Sequence, residues 1–355
     1  MDGTKIPAAC REVAAALINA GTLPADPDAT WRALKNGTSS IDPDPSAVTG
    51  TGGDKYLGYV KVSVVATSCG REWVLGSALR TANQYEVPRG LELIDRILEQ
   101  GVMPARVAAD KAYTGDGKWL DGLRARNVAP LIDLKKGQAS RDPSFAGCLV
   151  RQGWPYLPQL PERLWDLTAP PISDKKKNPE AWNDFYKLIA EREQYALPAH
   201  GIPGPTSTRV TSPLRRGRGL WCKAVPGSEA NWDGKTVPCE GEHLPHEACG
   251  LTTATFGAKH SRLGYQPDRW QSAAWRSRYK QRSGVERSFS MLKNPDSMGL
   301  ASGMFRLRRL EKVTFLSMLA DVAANLRLRL LEDREATKSS PPRRTRRAAV
   351  MSQAA

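Results

Sequence analysis

Apolar residues in the first third of the chain alternate with a two-residue period before they adopt a helical one. Leu57 to Ala66 places Val60, Val62, Val64 and Ala66 at every second position, the period of a strand with one face buried. Trp73 to Leu79 is a second β-rich run, and Ser68-Cys69-Gly70 supplies the turn of a hairpin between the two. The period then lengthens: Leu91, Ile94, Ile97 and Leu98 recur at helical spacing until Gly101 stops the helix. Val107-Ala108-Ala109 is a short apolar strand running into Asp110, Lys118 to Arg126 reads as a helix, and Ala129 to Leu134 as another short strand. The order strand, strand, helix, strand, helix, strand predicts a mixed α/β sheet.

Elsewhere the periodicity lapses. Residues 20–56 are rich in Gly, Pro, Asp, Ser and Thr and read as a long loop. From about Gly137 to Gly264 the pattern dissolves into Pro-, Gly- and Trp-containing stretches with a Lys175-Lys176-Lys177 run, which predicts an inserted subdomain. Trp275 to Lys293 and Leu307 to Leu331 then read as two helices, the second with Leu316, Leu319, Ala320, Ala323 and Leu326 on one apolar stripe. The tail from Glu335, containing Pro341-Pro342-Arg343-Arg344-Thr345-Arg346-Arg347, has the composition of a disordered basic segment.

Charge changes this picture from a fold to a class of partner. With 52 Lys and Arg against 37 Asp and Glu, the net charge of +15 makes a field that attracts polyanions, nucleic acid first. No run approaches the roughly 18 apolar residues of a membrane span, and the N-terminus lacks a signal-peptide pattern, so a cytoplasmic, nucleoid-associated protein with no membrane partner is expected. Six scattered cysteines are too few for a disulfide framework and are expected as reduced thiols. Cys222, Cys239, His243, His246 and Cys249 are residue types that suit zinc, but their spacing matches no standard ligand pattern, and a loop of ordinary polar residues is the expectation. Trp154, Trp221, Trp270 and Trp275 could stack on bases, though packing is the better reading for most of them. No Ser-His-Asp or Cys-His arrangement is supported.

The most informative segment runs from Tyr279 to Lys293. Tyr279, Arg282, Glu286 and Lys293 stand at relative positions 0, 3, 7 and 14, and at about 100° per residue they project within roughly 60° of one another on an α-helix. Val285, Phe289 and Leu292 fall on a separate arc that can anchor such a helix to a core. The segment closely resembles the Tyr-x2-Arg-x3-Glu-x6-Lys signature of a large group of bacterial insertion-sequence transposases. That resemblance implies that Glu286 closes an Asp-Asp-Glu triad while Tyr279, Arg282 and Lys293 hold phosphates of the transposon end. The charge of the arginines after Glu286 (Arg287, Arg306, Arg308, Arg309, Arg327, Arg329) and of those in the tail is expected to add phosphate contacts that give affinity without sequence information.

The same resemblance points to the other two carboxylates. Val107-Ala108-Ala109-Asp110-Lys111-Ala112-Tyr113 is similar to the family's Asp-Lys-Gly-Tyr block, with Ala112 in place of the glycine, and implies Asp110 as the second. Met1-Asp2-Gly3-Thr4-Lys5-Ile6 is similar to its Asp-Gly-Thr-Lys block and implies Asp2 as the first, whereas Asp42, Asp44 and Asp54 sit among turn formers. The implied cofactor is a pair of Mg²⁺ ions held by Asp2, Asp110 and Glu286, with Mn²⁺ able to substitute. Carboxylates are the hard oxygen ligands such ions take, and two ions can clamp both attacking and leaving oxygens of a phosphodiester. Without metal the three acidic groups would repel one another.

The implied fold is α/β and ribonuclease-H-like: a mixed sheet flanked by helices and interrupted by an inserted subdomain. Residues 1–138 form the first part of the catalytic core, 139–262 the insert, 263–334 the C-terminal helical part carrying Glu286, and 335–355 the basic tail. The separation of 176 positions from Asp110 to Glu286 suits members with a β-rich insert there. The implied partners are DNA, as inverted-repeat ends and as target, and a second copy in a homodimer on DNA. Family members place a helical region before the first Asp, so a chain starting one residue ahead of Asp2 is expected to be N-terminally truncated. The alternatives are an inactive DNA-binding remnant or domesticated protein, and a nuclease that cleaves structured DNA without strand transfer.

Overall fold

The computed structural model describes residues 2–7, 30–35, 38–40, 55–68, 70–81, 86–115, 117–135, 145–171, 174–216, 222, 225, 247–294 and 309–339, with the backbone alone for 2–7, 30–40, 55–58, 215–216 and 336–339. In chain order the elements are β1 (Asp2–Pro7), β2 (Thr30–Lys35), β3 (Thr38–Ser40), β4 (Lys55–Ser68), β5 (Arg71–Thr81), α1 (Glu86–Glu99), β6 (Arg106–Ala109), α2 (Lys118–Ala125) and β7 (Ala129–Ile132). They continue as β8 (Leu149–Arg151), β9 (Trp154–Tyr156), α3 (Pro179–Tyr195), β10 (Ser207–Val210), α4 (Glu247–Gly250), β11 (Ala254–Gly257), α5 (Ala273–Tyr279), α6 (Ser283–Lys293) and α7 (Leu310–Ser339). Two compact units result: Gly3–Tyr85 with Gly284–Ala355, and Glu86–Ser283 with Met1–Asp2.

In the first unit, β4 is long enough to serve several partners: β1 pairs with it, residues 55–58 pair with β2, and residues 59–68 pair antiparallel with β5. The β4–β5 hairpin closes from Ser68 to Arg71, and Gly70 takes the positive φ (74°) that such a two-residue turn requires. β2 and β3 correct the loop reading of residues 20–56. Thr30-Trp-Arg-Ala-Leu-Lys35 is a β-prone run, and it pairs antiparallel with Thr38–Ser40 in the register Lys35↔Thr38.

Both faces of β4 are buried, where alternation had predicted one. Val60, Val62 and Val64 are buried as expected, but so are Lys61 and Ser63 between them. The cause is α7: Lys61 Nζ donates to Asp321 Oδ1 (2.6 Å) and to the Ser317 carbonyl (3.3 Å). Asn325 extends the lock by accepting from the Val74 N–H at Oδ1 (3.0 Å) and donating from Nδ2 to the Val74 carbonyl (2.8 Å), as a neighbouring strand would. The buried face of α7 is thus Val313, Ser317, Ala320, Asp321 and Ala324; Leu319 and Leu326 of the expected stripe are exposed. Val285, Phe289 and Leu292 of α6 join Tyr59, Leu79 and Val313 in the core of this unit, as their arc predicted. α7 runs on to Ser339, into the stretch read as tail, and the rest of the tail lies outside the described residues.

The second unit holds β6 and β7 as a parallel pair, joined by α2 in a β-α-β crossover. A large core spans Phe145 to Tyr265, including Trp154, Tyr156, Leu197, Val210 and Phe256, and three thiols, Cys148, Cys222 and Cys249, lie in it unoxidised. A smaller cluster of Leu131, Trp182, Phe185, Ile189, Trp270 and Trp275 backs the end of β7. Trp154, Trp270 and Trp275 are buried, in line with packing; Trp221 lies outside the described residues.

Candidate active site and nucleic-acid cleft

The parallel register Ala109↔Ile132 brings the next residues, Asp110 and Asp133, out of the sheet side by side at neighbouring strand ends. Asp110 is half-buried and extended (φ −66°, ψ 155°), and its Oδ1 accepts the Lys111 N–H at 2.6 Å, capping the 3₁₀ turn Lys111–Thr114. Asp133 accepts the indole N–H of Trp270 at 2.8 Å. Burial pushes its carboxyl above the usual range, while the Trp270 donor and the Lys111 charge pull the other way. Tyr279 reaches the same place, donating its hydroxyl to the Ala109 carbonyl at 3.3 Å. Burial pushes that phenol upward too, so it stays a neutral hydrogen-bond donor at working pH.

A cavity of about 1140 Å³ opens beside these strand ends, lined among others by Lys111, Asp133, Trp182, Tyr186, Arg276 and Arg282. Several of its cations rest on aromatic faces. Arg276 lies 4.3 Å from the Tyr186 ring centre, Lys175 5.0 Å from Trp182, and Arg282 5.8 Å from Tyr279, which itself stacks on Trp275 at 4.4 Å. An aromatic face attracts a cation without cancelling its charge. Farther along the same unit Arg269 is paired with Glu193, and Arg106 and Arg278 with Asp268. The cleft therefore concentrates positive charge, lining residues Asp133 and Asp166 notwithstanding, and suits a chain of phosphates.

The segment carrying the signature is not one helix. α5 ends at Tyr279, Lys280–Arg282 form a 3₁₀ turn, and α6 begins at Ser283. A 3₁₀ turn advances about 120° per residue instead of about 100°, so the common arc worked out for an unbroken helix does not carry across it. What survives is pairwise. Tyr279 and Arg282 lie together at the cleft of one unit, and Glu286 and Lys293, seven residues apart, share a face of α6 in the other. Glu286 is exposed. Arg287 is also exposed and is ion-paired with Glu72 on β5, so a phosphate would have to compete for it. Asp2 opens β1, next to β4, and its side chain lies outside the described residues.

Sequence reasoning missed Asp133, Arg276 and the ring pair Trp182 and Tyr186. Asp133 carried a usable signal, since it ends a short apolar strand as Asp110 does; the others are brought in by folding, Arg276 from 143 positions beyond Asp133. Of the candidate zinc residues, Cys222 and Cys249 are buried in the large core and Gln159 Nε2 donates to Cys249 Sγ at 3.3 Å, while Cys239, His243 and His246 lie outside the described residues. Among the described residues no group of three or more His, Cys, Asp or Glu side chains is gathered as for a metal, and no helix is long and apolar enough to cross a membrane. Residues 28–188 match the family model described as the transposase DDE domain. No curated protein and no solved structure matches the chain.

Proposed function

We propose, from the match of residues 28–188 to the transposase DDE-domain model, that the chain is a transposase which cuts DNA at the ends of an insertion sequence and joins them to a target. In this reading residues 1–138 and 263–334 make a ribonuclease-H-like core around an insert at 139–262, which supplies all but Tyr265 of the apolar cluster running from Phe145 to Tyr265. The observation that carries the reading is the hydrogen bond from Tyr279 to Ala109, 170 residues away: it sets the first residue of the Tyr-x2-Arg-x3-Glu-x6-Lys segment against the strand that delivers Asp110.

Asp2, Asp110 and Glu286 would hold the divalent ions, and an all-carboxylate donor set fits Mg²⁺ or Mn²⁺, which take hard oxygen ligands. When bound, such ions supply Lewis acidity for the attacking water or 3′-hydroxyl and offset charge on the phosphate. The protein's own part is positioning. Tyr279, neutral and anchored, together with Arg282 and the ring-backed Arg276 and Lys175, holds the phosphates of the strand to be cut, while Lys293 serves the same face of α6 as Glu286. After cleavage the freed 3′-hydroxyl, which left as the water attacked, would take the water's role as nucleophile toward a target phosphate, so one constellation would serve hydrolysis and strand transfer.

The test is a Mg²⁺-dependent cleavage and strand-transfer assay on inverted-repeat end DNA with Asp110→Ala and Glu286→Ala. Both variants are expected to fall to background while binding the DNA within about threefold of the unaltered chain, because the two residues hold metal and not phosphate. Cleavage retained by either variant overturns the assignment. Binding without cleavage by the unaltered chain would favour the inactive remnant, and cleavage without joining the nuclease reading.

A further inference from the structure

The strands that lead into Asp110 and Asp133 are gripped by one segment, residues 266–279, and a single buried side chain closes the grip. Gln266, 2 % exposed, lies ahead of α5 and uses its whole amide group. Its Oε1 accepts the Ile132 N–H at 2.8 Å and its Nε2 donates to the Ile132 carbonyl at 2.9 Å, taking the place of a further strand at the residue before Asp133. The same Oε1 accepts the indole N–H of Trp275 at 3.2 Å. From there the connection runs along α5. Trp275 and Tyr279 stand four residues apart on one face of that helix, and their rings stack at 4.4 Å, 17° from parallel. Tyr279 returns to the sheet through its hydroxyl bond to the Ala109 carbonyl, and Ala109 is the register partner of Ile132. The contacts close a circuit: Ile132, Gln266, Trp275, Tyr279, Ala109 and back across the sheet. Satisfying the Ile132 backbone takes two of the glutamine's bonds; the third goes to the ring that backs the tyrosine.

We propose that Gln266 is a positioning residue that, acting through Trp275, fixes Tyr279 against the ends of β6 and β7. Its consequence for DNA rests on the proposed function, in which Tyr279 helps to hold the strand to be cut. A stack sets the distance between two rings but little of their offset, whereas an indole bonded to an amide locked onto a strand has one place to stand. Methionine at position 266 has nearly the same length and makes none of the three bonds. Tyr279 then loses its reference to β7, and a phosphate held beside it falls out of line with Asp110. The cations of the cleft are untouched by that change, so placement is lost and charge is not.

Two measurements on the full chain test this, with Gln266→Met and with the milder Trp275→Phe, which keeps a ring against Tyr279 and leaves the Gln266 bonds to Ile132 in place. In the first, isotope-labelled tryptophan gives one indole N–H resonance per tryptophan, and that of Trp275 is identified by its absence from Trp275→Phe. Gln266→Met should move the Trp275 resonance toward that of an unbonded indole, while that of Trp154, bonded to the Leu197 carbonyl, stays in place. A Trp275 resonance that stays overturns the proposal, and so do Trp154 and Trp275 resonances that move together, because the glutamine then supports the fold at large. In the second, Mg²⁺-dependent cleavage of bound end DNA should slow about tenfold in either variant, with the salt dependence of binding unchanged. Adding Tyr279→Phe to either variant should slow it by less than about threefold beyond Tyr279→Phe alone, since the same placement is already lost. Effects that multiply as for independent sites overturn the proposal, and Trp275→Phe decides this arm if Gln266→Met does not fold. If the unaltered chain cleaves nothing, the transposase reading fails and the indole resonances decide the role of Gln266 by themselves.

Discussion

Buried titratable side chains of the Glu86–Ser283 unit are governed chiefly by loss of water, and this has a consequence at alkaline pH. The Cys148 thiol is pushed from its ordinary 9.0 up to about 12 by burial, with Cys249 and Glu247 adding to the effect. Burial likewise moves Tyr156, Tyr265 and Tyr279 upward from their ordinary 10.0. For an acid whose folded pKa is raised, the unfolded chain gives up its proton first. Between about pH 9 and 12 the unfolded state therefore holds fewer protons than the folded one, and stability falls as pH climbs, by about 1.4 kcal/mol per pH unit for each such group. Urea unfolding between pH 8 and 10.5 should show this decline beginning near pH 9. Cys148→Ala should make the slope shallower by about one proton once the thiol's window is entered. Parallel curves for the two proteins would mean that the thiol ionises normally and is not buried as described.

Polar anchors decide how helices attach where apolar pattern cannot. α7 has leucines and alanines on several sides, and its seat on β4 and β5 is selected by Lys61, Asp321 and Asn325, with Ser77 Oγ also hydrogen-bonded to Asp321. Burial lowers the Lys61 pKa despite the Asp321 charge, so the ammonium is held at a cost that its partner offsets. Asp321→Ala strands that charge and should destabilise the chain by roughly 3–5 kcal/mol in denaturant titration, whereas Lys61→Met combined with Asp321→Leu should cost far less. A loss under about 1 kcal/mol for Asp321→Ala would show that the pair does not seat the helix. The same distinction explains what the sequence made legible. β4, β5, α1, β6, α2 and β7 follow from local period alone, and Asp110 from a strand end joined to a motif. The buried side of α7 depends on a lysine some 260 residues away. The 3₁₀ turn at Lys280–Arg282 has no glycine or proline to announce it, and the cations and rings of the cleft converge only through tertiary folding.

For the molecule as a whole, the proposed function raises the question whether a net charge of +15 would bind DNA diffusely or through a path that leads to the proposed site. A diffuse surface makes every cation interchangeable, and each substitution then lowers affinity alike for any DNA. The cleft predicts otherwise, because Arg276 and Arg282 are held on Tyr186 and Tyr279, and Tyr279 is itself tied to the strand that ends at Asp110. A phosphate bound there is placed, and its loss misplaces the strand to be cut as well as weakening its hold. Salt titrations should therefore separate two classes of variant. Arg276→Ala and Arg282→Ala should each flatten the dependence of log affinity on log salt by about 0.7 to 0.9, the equivalent of one phosphate contact, and should cut cleavage by more than the loss of binding accounts for. Arg343→Ala with Arg344→Ala, in the basic tail outside the described residues, should weaken end-sequence and random duplexes equally and leave the cleavage rate of bound DNA unchanged. If cleft and tail variants lose the same affinity for both duplexes and the same fraction of cleavage, the ring-backed cations are part of a uniform basic surface and the cleft does not guide the strand.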